Sequence, residues 1–308
     1  MEFRQLRYYV RVVELGSLGR AAADLGLVTS TLSQQISRLE GELSTRLLQR
    51  TSTGVVPTDA GLAFWRQAQL ALRHADEARR AAQQGRLAGS VSVGLAPTTA
   101  TVLAAPFMAR MRERYPDIHL HLVESLSGHL NAMLKSRQID LAVLFAAEPA
   151  KGLSMIPLLE ERLFLIGSPT LPGMPGSRQV RAAALRDLPL VMPSATHGMS
   201  AIVDSVFARA QCRPRIVAEI DGLGILMDAV RAGVAATIQP GIAAARYGVG
   251  ELRLIRLADP GARRHNVLSS LSDDELSPAA LAARIVLADV ARRLVAAKQW
   301  IGATLHES

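Results

Sequence analysis

Helical periodicity dominates the start of the chain. Phe3, Leu6, Val10 and Val13 recur at helical spacing and predict an amphipathic helix. Gly16-Ser17 interrupts it, with Ser17 placed to cap a second helix that holds Ala21, Ala22 and Leu25 and stops near Gly26. The stretch "LVTSTLSQQISRLE", residues 27–40, predicts a third helix. Leu32, Ile36 and Leu39 fall at i, i+4 and i+7 and form its buried stripe. At about 100° per residue the opposite face carries Ser30, Gln34 and Ser37, flanked by Thr31, Ser33 and Arg38. Two helices joined by a tight turn, the second presenting short hydrogen-bonding side chains, form the helix-turn-helix pattern. The following "LLQRTSTGVVPTDAG", with a Thr53-Gly54 turn, reads as the hairpin of a winged helix.

A long helix is predicted from about Thr58, with Thr58 or Asp59 as cap, to Leu87. Its narrow apolar seam, Leu62, Trp65, Ala68, Leu72, Ala75, Ala78 and Ala82, suits either pairing with another helix or packing on its own domain. Residues 85–89 read as a linker. From Ser90 the pattern changes to strands alternating with helices: "SVSVGL", "IHLHLVE" and "IDLAVLF" are separated by helical segments, which predicts a parallel sheet covered by helices. Further strands at "LPLVMPS", "PRIVAEI" and "GVAATIQP", with helices between them, belong to a second, similar lobe; "LRLIRL" and "HNVLSSLS" return as strands, and "PAALAARIVLADVARRLVAAKQW" is a terminal helix. Crossings near Gly167 and Arg264 would leave a cleft between the lobes, where ligands meet strand C-termini and helix N-termini.

Composition adds little that the pattern does not. The 308 residues suffice for two or three domains, and about half are apolar. The lone Cys212 excludes a disulfide framework and a structural zinc site and fits a reducing compartment. No signal peptide or membrane-spanning segment is read, so a cytoplasmic location is expected. The formal charge of +8 favours polyanionic partners, but the first 60 residues hold seven arginines against six acids. DNA binding must therefore rest on where the arginines sit.

With these motifs in place the whole chain resembles the LysR-type transcriptional regulators. The resemblance rests on "FRQLRYYVRVVELGSLGRAAADLGLVTSTLSQQISRLEGEL", "LLQRTSTGVVPTDAG" and "GSVSVGLAP". Within that family "LAPTTA", "HLVESLSGHLNAML", "IDLAVLF" and "ATIQP" look most like the nitrogen assimilation control type. The resemblance implies an α+β multi-domain fold. It would have a winged helix-turn-helix over 1–58, a dimerising linker helix over 59–88, and a two-lobed effector domain over 89–308, similar to periplasmic binding proteins. Lobe I would span about 89–166 and 267–308, and lobe II about 167–266. It further implies promoter DNA as partner, a small-molecule effector such as a carboxylate or other anion, and a homodimer that assembles into a tetramer. The chain departs from the family where the third helix begins. Val28, Thr29, Ser30 and Thr31 stand for the usual Ser-Gln-Pro-Ala, Gln34 stands for an arginine, and Thr51 to Gly54 lack a common basic residue. Phosphate contact from the wing is thus weaker here or is carried by Arg50 alone.

The candidate DNA-contacting residues are Thr29, Ser30, Thr31, Ser33, Gln34, Ser37, Arg38, Arg50 and Thr53. Gln34 can pair bidentately with adenine. The short hydroxyls can donate to phosphates or instead cap the helix, and Arg38 and Arg50 can hold phosphates or pair with Glu40 or Glu42. For the cleft, Pro97-Thr98-Thr99 follows the first strand and opens a helix, offering free N–H groups and two hydroxyls to an anion. By resemblance Ser127, Phe145, Thr196, His197 and Gln239 join Thr98 and Thr99 as effector candidates. His119 and His121 share a strand face without a third ligand nearby, so no metal or cofactor is expected. No nucleotide loop, zinc-protease helix or nucleophile elbow is found, and the chain is not expected to be an enzyme. The competing readings are a solute-binding protein, which leaves the first 88 residues unexplained, and a small-molecule enzyme using the α/β cleft.

Overall fold

The computed structural model describes residues 1–51, 54–83, 87–145, 152–194, 198–248 and 250–306, with the backbone alone over 77–83. The chain divides into two compact units, Met1–Arg86 and Leu87–Ser308.

In the first unit, α1 (Phe3–Leu15), α2 (Leu18–Asp24) and α3 (Thr29–Glu42) precede an antiparallel hairpin of β1 (Leu48–Thr51) and β2 (Gly54–Pro57), and α4 (Asp59–Gln83) follows. Glu2 and Gln5 form a capping box at the start of α1, and Gly16 ends it in the left-handed conformation, φ 61°. The Gly16 carbonyl then accepts from the Val55 amide at 3.0 Å, which ties the hairpin to the α1–α2 turn. Ser17 caps α2 as expected, accepting from the Arg20 amide. The buried face of α1 differs from the expected one. Leu6, Tyr9 and Val12 are buried, whereas Phe3 is 54% exposed and Val10 and Val13 are only partly covered. Tyr9 belongs to the core because its hydroxyl finds the Leu47 carbonyl at 3.4 Å, so its one polar atom is not stranded. Leu32, Ile36 and Leu39 of α3 complete that core with Ala21, Ala22, Leu47, Val55 and Trp65. Thr58 caps α4 by accepting from the Gly61 amide at 3.0 Å. The near half of the α4 seam packs on its own unit through Trp65 and Ala68, while Leu62 is 38% exposed. The Ala78 and Ala82 side chains lie outside the described residues.

The second unit begins with β3 (Gly89–Leu95), α5 (Pro97–Arg114), β4 (Ile118–Glu124), α6 (Ser127–Lys135) and β5 (Leu141–Phe145), whose strands pair in parallel in the order β4-β3-β5. β6 (Leu153–Gly167) runs through both lobes. β7 (Gln179–Val180), β8 (Pro189–Met192), α7 (Gly198–Arg209), β9 (Arg215–Glu219), α8 (Leu223–Arg231), β10 (Thr237–Pro240) and β11 (Arg253–Leu257) build the second lobe. β12 (Arg263–Leu271), α9 (Pro278–Ala296) and β13 (Ala303–Leu305) return to the first. The sheet is mixed rather than parallel throughout, since β12 lies antiparallel between β5 and β6, and β10 and β11 are antiparallel to β6. The first crossing falls within β6 at Arg162–Leu163, where pairing passes from β12 to β10 and β11, and not near Gly167. A single unbroken strand can change partners without any turn residue, so no local signal marks the crossing. The second crossing lies between Leu257 and Arg263.

Candidate DNA-binding surface and effector cleft

Helix α3 presents the polar row whole. Thr29, Ser30, Thr31, Gln34, Ser37 and Arg38 are exposed and Ser33 is half-buried. The capping alternative is overturned: Val28 is the N-cap and makes no side-chain cap bond, so Thr29 and Ser30 lie inside the first turn. Among the described residues the hydroxyl and amide groups of this row make no hydrogen bond within the protein and stay free for a partner. Arg38 lies 3.7 Å from Glu42, whose carboxyl is held below the ordinary range chiefly by the N-terminal ammonium. At 66% exposure for Arg38 that pairing is weak and leaves the guanidinium available. Arg50 is exposed on β1 opposite Val55. A groove of ≈ 570 Å³ runs between Ser33 and Ser37 of α3 and Gln49 and Arg50 of β1. Thr53 lies outside the described residues.

Sequence reasoning takes Glu40 only as a surface ion-pair partner for Arg38 or Arg50 and misses its burial. It is 7% exposed and accepts from the Leu47 and Leu48 amides at 2.8 and 3.0 Å. Its signal is present in the sequence, since a carboxylate four residues after Ile36 falls on the apolar stripe of α3.

In the second unit, the N-termini of α5 and α6 follow the adjacent parallel strands β3 and β4. Pro97 opens α5 after the extended Ala96, which puts Thr98 and Thr99 in the first turn. Ser127 opens α6. Thr98, Thr99, Ser127, Phe145 and Gln239 are all buried. Thr98 and Gln239 meet in one cleft with Ala96, Pro193, Asp221 and Leu226, of cavity volume ≈ 20 Å³. Thr99 and Ser127 do not line that cleft, but their hydroxyl oxygens are buried without a hydrogen-bond partner among the described residues. Thr196 and His197 lie outside the described residues.

Thr98 is not a simple cap. Its hydroxyl accepts from Arg264 Nη2 at 2.7 Å. The Arg264 Nε donates to Glu161 at 2.6 Å, and the guanidinium carbon sits 4.5 Å from the centre of the Phe145 ring. Glu161 also accepts from Asn266 Nδ2 at 2.6 Å and from Trp300 Nε1 at 2.7 Å. Phe145 therefore lies under Arg264 in the core instead of lining the cleft. The sequence pattern does not single out Arg264, Glu161, Asn266 or Trp300 for a site, because no short-range pattern joins residues that stand so far apart in the chain.

Family models match both parts of the chain: "Bacterial regulatory helix-turn-helix protein, lysR family" over residues 3–62 and "LysR substrate binding domain" over 84–292. The nitrogen assimilation regulatory protein nac of Escherichia coli K12 is 34% identical over 306 residues, covering 97% of this chain and 99% of the relative. A full-length OxyR point variant from Pseudomonas aeruginosa superposes with a TM-score of 0.72 at 22% identity, covering 95% of each chain. Full-length CbnR complexed with its target DNA gives a TM-score of 0.64 at 23% identity, covering 95% of this chain and 99% of that one. At such identities the two structures speak for the fold, while the family models and nac speak for descent. The chain belongs to the LysR family of bacterial helix-turn-helix transcriptional regulators, near the nitrogen assimilation control type.

Proposed function

We propose that the chain reads promoter DNA through residues 1–58, dimerises through 59–88, and is regulated by a small anion bound within 89–308. The observation that carries the DNA reading is the exposed α3 row, whose hydroxyl and amide groups make no hydrogen bond among the described residues. Gln34 reads a base edge, Ser30, Thr31 and Ser33 contact phosphates at close approach, and Arg38 and Arg50 hold the backbone. The named DNA complex of CbnR supports the same use of this fold. The protein works in the cytoplasm; among the described residues no helix is long and apolar enough to cross a membrane. It acts by binding and not as an enzyme. Two protomers joined at the linker helix, and four in the full assembly, set the spacing of the half-sites.

The effector reading rests on the unpartnered hydroxyls of Thr99 and Ser127. A buried hydroxyl without a partner costs about 1–3 kcal/mol, and a bound carboxylate at two helix N-termini would supply the missing acceptor. The cleft at Thr98 and Gln239 has room for about one water, so a ligand must part the lobes, and its binding shifts the population of open and closed forms. A mobility-shift assay on the DNA upstream of the protein's own gene tests the first claim. Q34A should lose about 1–3 kcal/mol of discrimination at one base position; unchanged affinity and preference would refute its role. For the second, T99V should melt near the wild-type temperature yet lose the thermal shift produced by a carboxylate found in a screen. A retained shift removes Thr99 from the site.

A further inference from the structure

Glu40 is a buried acid of the first unit, 7% exposed. Its position on α3 follows from helical spacing, four residues beyond Ile36 and one beyond Leu39. Both amides, Leu47 and Leu48, reach the same oxygen, Oε1. The other oxygen meets Arg46 Nη1 at 3.2 Å, but Arg46 is 84% exposed, so that ion pair is screened and weak. The backbone amides are the partners that matter, because a buried N–H without an acceptor is costly.

Leu47 is also gripped from its other side. Its carbonyl accepts from the Thr58 amide at 3.0 Å and from the Tyr9 hydroxyl at 3.4 Å. Gly61 lets this carbonyl approach: a Cβ there would stand 1.9 Å from the Leu47 oxygen. The peptide leading into β1 is thus fixed between α3 on one side and α1 and α4 on the other. Arg50 follows three residues later, and Arg50, Ser33, Ser37 and Glu40 line one groove.

We propose that Glu40 is a positioning residue for DNA recognition: its carboxylate fastens the first wing strand to the recognition helix, so that Arg50 and the α3 row meet the duplex as one surface. The proposal rests on the reading of Arg50 as a phosphate contact. Without Glu40 the hairpin keeps the bonds at the Leu47 carbonyl and from Val55 to Gly16 but loses its tie to α3, and the phosphate contact would then cost ordering entropy at each binding event.

The test uses full-length wild type, E40Q, E40D, R50A and E40D/R50A. Affinity for the upstream duplex is measured over a range of salt, and amide exchange over residues 44–50 is followed in the free protein. E40Q keeps an oxygen where Oε1 lies, so the Leu47 and Leu48 amides stay protected and the salt slope stays at the wild-type value. E40D withdraws the oxygen by one methylene. Both amides then exchange faster, affinity falls about tenfold, and the salt slope drops by about one phosphate contact. R50A lowers the wild-type slope by the same amount and adds nothing in the E40D background. Protection that survives in E40D, or a slope that R50A lowers and E40D does not, overturns the proposal. A slope unmoved by R50A in the wild-type background instead overturns the phosphate role of Arg50, and the proposal with it. Circular dichroism and the intact behaviour of E40Q separate a lost clamp from a lost fold.

Discussion

Glu40 and Glu161 are both buried carboxylates with three partners each, and they are built in opposite ways. Glu40 collects its partners from six to eight residues away, and two of the three are backbone amides. Glu161 collects side chains from 103 to 139 residues away, and one of them, Arg264, carries a full buried charge. The first holds a hairpin to the helix beside it. The second joins both crossing strands, the start of α5 through Thr98, and the segment after α9 through Trp300. A local carboxylate shapes one surface of a small unit, whereas a distant one decides whether the parts of a large unit assemble at all.

The difference predicts unequal costs of removal. E161A leaves Arg264 buried and unpaired and should destabilise the second unit by about 3–5 kcal/mol, read as a large fall in its denaturation midpoint. E40A strands two amides and no buried charge, so it should cost less, about 1–3 kcal/mol. Equal costs in denaturant titrations of the two variants would erase the distinction. G61A sharpens the local side. Its methyl group would press on the Leu47 carbonyl, and the forced shift should cost about 1–3 kcal/mol, confined to the melting of the first unit. A neutral G61A would mean that the Leu47 peptide is held loosely.

The smallest effect belongs to an exposed pair. Arg11 donates to Asp24 at 2.6 and 2.7 Å and so holds the Asp24 carboxyl below the ordinary carboxylate range. Because its folded value is depressed, its stabilisation is present above the unfolded carboxylate value and is lost as the pH falls through the folded one. D24N should therefore flatten the acid limb of the first unit's stability and change little at neutral pH. An acid limb identical in wild type and D24N would show that solvent screening has cancelled the pair.

The two sites are legible in the sequence to different degrees for the same reason. The candidate DNA-contacting groups of α3 lie within one helix, so period and residue type alone place Ser30, Gln34, Ser37 and Arg38 opposite Leu32, Ile36 and Leu39. The N-terminus of α5 is legible as a Pro-Thr-Thr sequence after a strand, but the role of Thr98 is not. Its partner Arg264 is 166 residues away. Pattern places Phe145 at a strand end, yet whether its ring faces the cleft or lies under Arg264 depends on a neighbouring strand.

By itself the sequence determined the helix-turn-helix, the hairpin, the long helix and the alternating α/β region, because these depend on short-range periodicity, caps and turn residues, while the family followed from the resemblance of its motifs. Only the tertiary structure decided the mixed pairing of the sheet, the crossing inside β6 and the Glu161–Arg264 hub. Strand partners and buried ion pairs are chosen by what the folded chain brings into contact, and residues 100 or more positions apart leave no mark of that choice in either local pattern.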